Sequence, residues 1–173
     1  MLSDTTESLF ESLPQLTKLE SYSVGVDFLK KLFEIAPQIS SLTTIVDTPA
    51  LHFICENFKN LSFLDLLFTA DDQEESDALA RIDQLARLKE LVLISCPVRN
   101  VVFPHSNVRC LTLKTCKKLT DEDLLKLPER FPMLKRLTIK YCNLVSVAGI
   151  NLLHKSIPTC RIDLNGQRFY PLA

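Results

Sequence analysis

Three stretches, Leu88-Lys-Glu-Leu-Val-Leu-Ile-Ser-Cys96, Val108-Arg-Cys-Leu-Thr-Leu-Lys-Thr-Cys116 and Leu134-Lys-Arg-Leu-Thr-Ile-Lys-Tyr-Cys142, are copies of one nine-residue phrase. Each has aliphatic residues at its first, fourth and sixth positions and a cysteine at its ninth. The fourth and sixth positions differ by two, the period of a strand with one buried face. A phrase that recurs with the same spacing marks an architecture of stacked units, each burying its apolar side against its neighbours.

Weaker copies extend the series. The same spacing begins at Leu16, Ile39 and Leu61, and a degenerate copy, Ile162-Asp-Leu164, follows Pro158. The first positions Leu16, Ile39, Leu61, Leu88, Val108 and Leu134 lie 20 to 27 residues apart. Seven units therefore account for the whole chain, 1–173, as a single domain. Residues 3–13 are expected to form an N-terminal capping helix, and 158–173 the last unit together with a C-terminal cap built on Phe169, Tyr170 and Leu172.

Between the phrases the apolar spacing becomes helical. Phe28, Leu29, Leu32, Phe33 and Ile35 predict a helix that stops at Pro37, and Leu51, Phe53, Ile54 and Phe58 predict another after Pro49. Helices are also expected over 77–88, 121–131 and 146–157, with Thr120 or Asp121 and Ser146 as N-caps. The segment 97–106 contains Pro97, Pro104 and a Val-Val pair, so an extended stretch or a short 3₁₀ turn is expected there instead. The acidic run Asp71 to Asp77 reads as a solvated loop.

Composition narrows the function. The net charge is −1, which argues against bulk nucleic-acid binding, and three glycines leave no phosphate-cradling loop. The N-terminal residues carry an early acid and no long apolar run, so neither a signal peptide nor a membrane anchor is expected. There are six cysteines but no C-x-x-C pair, which gives zinc little support. Cys96, Cys116 and Cys142 are read as reduced packing residues inside the turn after each strand, implying a cytoplasmic or nuclear protein. His52, His105 and His154 fall in different units, and no cofactor or catalytic group is expected.

The phrase, together with Cys116, Leu119-Thr120-Asp121 and Pro132-Met133-Leu134, resembles the cysteine-containing subclass of leucine-rich repeats, typified by the substrate-recognition regions of F-box proteins. The match is specific over about residues 85–165. It implies an α/β solenoid, a right-handed horseshoe with a parallel concave sheet and a mainly helical convex side. It also implies a non-enzymatic scaffold that recruits protein substrates to an SCF-type ubiquitin ligase. An F-box motif is not evident, so the resemblance implies contact with the ligase adaptor only if that motif lies outside this chain. The alternative is a stand-alone structural, assembly or regulatory repeat protein.

In such a solenoid the second, third, fifth, seventh and eighth phrase positions face the concave side. The expected partner-binding residues are Phe63, Asp65, Phe68, Val92, Ile94, Arg109, Thr112, Lys114, Arg136, Thr138, Lys140 and Tyr141. They run from apolar to basic. Five cations and no acid occupy these positions in the fifth and sixth phrases, which suits an acidic or phosphorylated segment of a protein partner. Neither a nucleic acid nor a membrane is expected as partner.

Overall fold

A computed structural model describes residues 13–22, 25–68, 79, 81–96 and 106–171. The expectations for the capping helix at 3–13, the acidic run at 71–77, the segment 97–105, His105 and Leu172 fall outside these residues. The chain is α/β. Among the described residues eight strands form one sheet in strictly sequential order: β1 (Lys18–Ser21), β2 (Ser41–Val46), β3 (Phe63–Phe68), β4 (Glu90–Ile94), β5 (Cys110–Lys114), β6 (Arg136–Lys140), β7 (Arg161–Leu164) and β8 (Gln167–Phe169). β1 to β7 are parallel, and β8 turns back antiparallel on β7 through Asn165 and Gly166, both at positive φ.

The register explains why the phrase is apolar where it is. Fourth-position residues Leu19, Leu42, Leu64, Leu91, Leu111, Leu137 and Ile162 pair strand to strand in one row. Sixth-position residues Leu66, Leu93, Leu113, Ile139 and Leu164 form a second row. From β2 onward both rows are buried, and they make one face of the sheet into the floor of the core. Removing each such side chain from water contributes about 1.5–3 kcal/mol.

The other wall consists of helices and turns between strands. Helix α1 (Val26–Ile35) buries Leu29 and Leu32, and α2 (Thr48–Asn57) buries Ala50, Leu51, Ile54 and Cys55. Phe33, Phe53 and Phe58 join these two helices edge to face, with ring centroids 5.4 to 6.4 Å apart. The α2 N-cap is Asp47, whose carboxylate accepts from the Ala50 amide at 2.8 Å. Helix α5 (Val147–Ser156) begins at the expected cap, Ser146, which accepts from the Gly149 amide at 3.0 Å.

Two helices depart from expectation. The stretch 121–131 is not one helix but two short ones, α3 (Asp121–Leu124) and α4 (Leu127–Arg130). Pro128 is the cause: it has no amide to donate to the Leu124 carbonyl, so the first helix cannot continue through it, and it is tolerated only in the first turn of a new one. Thr120 opens α3 with a reciprocal capping box to Asp123. Within 77–88 the described residues are helical at Leu79 and then pass into a 3₁₀ turn, Arg81–Gln84, so the helix does not run on to residue 88. From the turn onward Ile82, Leu85 and Leu88 are buried at intervals of three, which fits three residues per turn better than 3.6.

Candidate functional site

The sheet face opposite the core carries no helix among the described elements, and its side chains line up in rows because the strands are in register. Along the third-position row run Ser41, Phe63, Glu90, Cys110, Arg136 and Arg161. The fifth-position row is Glu20, Thr43, Asp65, Val92, Thr112, Thr138 and Asp163. The seventh-position row is Ile45, Leu67, Ile94, Lys114 and Lys140. The seventh row is thus aliphatic on β2 to β4 and basic on β5 and β6.

Phe63, Asp65, Val92, Ile94, Thr112, Lys114 and Thr138 are half-buried on this face, and Arg136 and Lys140 are exposed on it. Partial burial pushes the Asp65 carboxyl above its ordinary range, and Glu20 adds to the effect while Lys114 opposes it. Arg109 is exposed one residue before β5, at the rim rather than on the strand face. Tyr141, one residue after β6, is 70% exposed.

Phe68 is a correction. It is 4% exposed and belongs to the core, not to the open face. The reason lies in the backbone at the eighth position. Ser95, Thr115 and Tyr141 have φ of 55°, 51° and 57°, a left-handed kink that interrupts the alternation and lets the cysteine that follows turn inward. β2 and β3 have no such kink, so alternation continues and the eighth residues, Val46 and Phe68, point into the core.

The cysteines behind those kinks are buried as expected, and none of the six is in a disulfide. Cys116 Sγ donates to the Lys114 carbonyl at 3.4 Å and to the Leu93 carbonyl of the preceding strand at 3.8 Å; Cys142 repeats the pattern on Lys140 and Leu113. A hydrogen bond to the Cys142 thiol, with burial, holds the Cys116 thiol well above its ordinary range. Cys116 is therefore a neutral packing group at neutral pH. Among the described residues no group of three or more His, Cys, Asp or Glu side chains is arranged to hold a metal. His52 Nε2 and His154 Nε2 are buried without a hydrogen-bond partner.

Sequence reasoning passed over several residues of the open face. Thr43 and Ile45 extend it onto β2, and the spacing from Ile39 was sufficient to place them. Arg161 continues the basic row on β7, where its guanidinium lies 5.4 Å from the Tyr170 ring centroid. Asp163 brings an acid to this end, but its carboxylate accepts from the Gly166 amide at 2.9 Å and lies 3.8 Å from Arg168.

No family model matches the chain, and no curated protein matches it. No helix among the described residues is long and apolar enough to cross a membrane.

Proposed function

We propose that this chain is a leucine-rich repeat solenoid of the cysteine-containing subclass that acts as a non-enzymatic protein-interaction scaffold, with the open sheet face as its concave recognition surface. The observation that carries the reading is the in-register stacking of the repeated phrase: conserved spacing supplies a buried floor, and the variable positions between supply a continuous outer surface graded from aliphatic to basic. Such a face suits an extended protein segment with apolar and acidic portions, held by charge-assisted hydrogen bonds to Lys114, Arg136 and Lys140.

The narrower reading is the substrate-recognition module of an SCF-type ubiquitin ligase, delivering bound partners for ubiquitination. It is supported by the resemblance at Cys116, Leu119-Thr120-Asp121 and Pro132-Met133-Leu134, and adaptor contact requires an F-box outside this chain. Affinity purification of the tagged protein, with and without proteasome inhibition, tests both levels. Partners enriched under inhibition and lost from the Lys114→Glu, Arg136→Glu, Lys140→Glu triple variant are the expected result. Unchanged recovery by the variant would remove the open face from the reading; recovery indifferent to proteasome inhibition and free of ligase subunits would favour a stand-alone scaffold.

A further inference from the structure

The second-position residues lie at the strand entrances, where they form a rim. Along most of this row a second-position carbonyl accepts two amides from the next unit: Ser62 accepts from Lys89 at 2.9 Å and Glu90 at 3.0 Å, Lys89 from Arg109 at 2.7 Å and Cys110 at 3.0 Å, and Arg109 from Lys135 at 2.8 Å and Arg136 at 3.0 Å, while Lys135 accepts from Arg161 at 2.9 Å. This shared bonding holds the backbone at the spacing of adjacent strands, about 4.8 Å. Ser40, Ser62, Lys89, Arg109 and Lys135 therefore follow one another at that interval, three cations in succession.

Beside this row lies a cavity of about 630 Å³, within the roughly 300–1,000 Å³ common for small-ligand sites. Among the described residues its charged lining residues are Arg87, Lys89 and Arg109, and no acid lines it. Asn60 and Asn107 add side-chain amides, while the Ser40 and Ser62 hydroxyls donate to the Thr17 and Ser40 carbonyls at 3.3 and 3.1 Å. Arg87 is oriented by donating from Nη1 to Asn60 Oδ1 at 2.8 Å, which aims a planar fork without neutralising its charge. Among the described residues neither Lys89 nor Arg109 forms an ion pair. Like charges on adjacent strands repel, and here nothing within the cavity offsets them.

We propose that this rim cavity binds a phosphate monoester, and specifically the phosphorylated side chain of a protein segment. A dianion matches three cations lining one cavity beside two asparagine amides, and it would relieve the cations' mutual repulsion. Among the described residues no aromatic ring lines the cavity to stack a base, which favours a phosphate monoester over a nucleotide. The open face need not bind anything for this site to work, so the inference goes beyond the scaffold reading and can fail or succeed without it.

The test is an amide-resolved NMR titration of the full chain with a short alanine peptide carrying a central phosphoserine. The same peptide unphosphorylated, inorganic phosphate and a short single-stranded RNA are the comparison probes. The phosphopeptide is expected to give saturable shifts at Arg87, Lys89 and Arg109 by about 10 mM, the range of a weak isolated anion contact. Inorganic phosphate should shift the same amides and the unphosphorylated peptide should not. Lys89→Ala and Arg109→Ala, checked for unchanged thermal unfolding, should each weaken binding by about tenfold, the size of one lost charge-assisted hydrogen bond; Arg87→Ala gives a third readout should either variant unfold. Lys114→Glu, on the open face, should leave this titration unaltered. Shifts spread over surface lysines without saturation would overturn the proposal, as would tighter binding of the RNA at the same amides. If the triple open-face variant keeps its partners while the cavity titration stands, only the assignment of the open face as recognition surface falls.

Discussion

A buried thiol is a titratable group kept from its charge, and besides Cys116 two in this chain are raised by burial above all. Burial pushes Cys55 from the ordinary 9.0 up to about 12 and Cys160 up to about 11. In the unfolded chain both lose their protons near 9.0, whereas the folded chain keeps them until well above pH 10. The unfolded state thus binds fewer protons in this window, and stability falls as pH rises. The contribution is whole below pH 9 and declines by at most about 1.4 kcal/mol per thiol for each pH unit above it. Urea unfolding at a series of pH values from 8 to 10 is expected to show a steeper decline for the native chain than for Cys55→Ala. Parallel slopes in the two proteins would refute the assignment. The residue scale also shows where the sequence was readable. The inward turn of Cys96, Cys116 and Cys142 followed from their place after the strand. The outward reading of Phe68 failed because the facing of the eighth position depends on a backbone kink, and the phrase spacing carries no information on φ.

Elements are joined here by side chains that reach from one unit to the next. Asp121, the first residue of α3, lies at the start of α5, where its carboxylate accepts from the Ser146 amide at 2.8 Å and the Ser146 hydroxyl at 2.6 Å. A carboxylate at a helix N-terminus is favoured by the partial positive charge there. Gly149 makes room for it: a Cβ at this position would overlap the Asp121 carboxyl group. Gly149→Ala should therefore displace Asp121 and cost about 1–2 kcal/mol, comparable to loss of an N-cap, despite alanine's better helix propensity. In an Asp121→Ala background the same substitution should cost little or stabilise, because the obstacle is gone and the helix gains alanine. Equal costs in both backgrounds, measured by denaturant midpoints, would exclude this coupling. Ser146 was legible as a cap from sequence, but its bond to a residue 25 positions earlier was not, since it depends on how units stack. The division of α3 from α4 was legible and overlooked: Pro128 is visible in the sequence and sufficient to break the helix.

For the molecule as a whole, strict sequential strand order means that every strand bonds only to its neighbours in the chain. Stability then builds along the stack as a sum of unit and interface contributions rather than through one central contact. The spacing of the phrase was enough to predict this order, because apolar positions separated by one repeat must pair to stay buried. The rim cavity was not predictable, since Arg87, Asn60 and Asn107 stand before the phrase begins and converge only through the strand register. The two ends of the sheet differ. At one, β8 covers β7, and Phe169 meets the His154 ring edge to face at 6.3 Å. At the other, among the described residues, β1 pairs only with β2, none of its four residues is fully buried, and Leu19 is half-exposed where its row partner Leu42 is fully covered. Few buried contacts and a single hydrogen-bonded flank place β1 at the low-stability end of local opening. Hydrogen exchange read by mass spectrometry should show amides of Lys18–Ser21 exchanging at least tenfold faster than those of β4 to β6, a difference of about 1.4 kcal/mol or more in opening free energy. Leu19→Ala should widen the difference without lowering protection in β5 and β6, because its effect is confined to the first interface. Uniform protection from β1 to β7, or a loss in β6 caused by Leu19→Ala, would instead require the sheet to open as a single cooperative body, and the additive account of the stack would not hold.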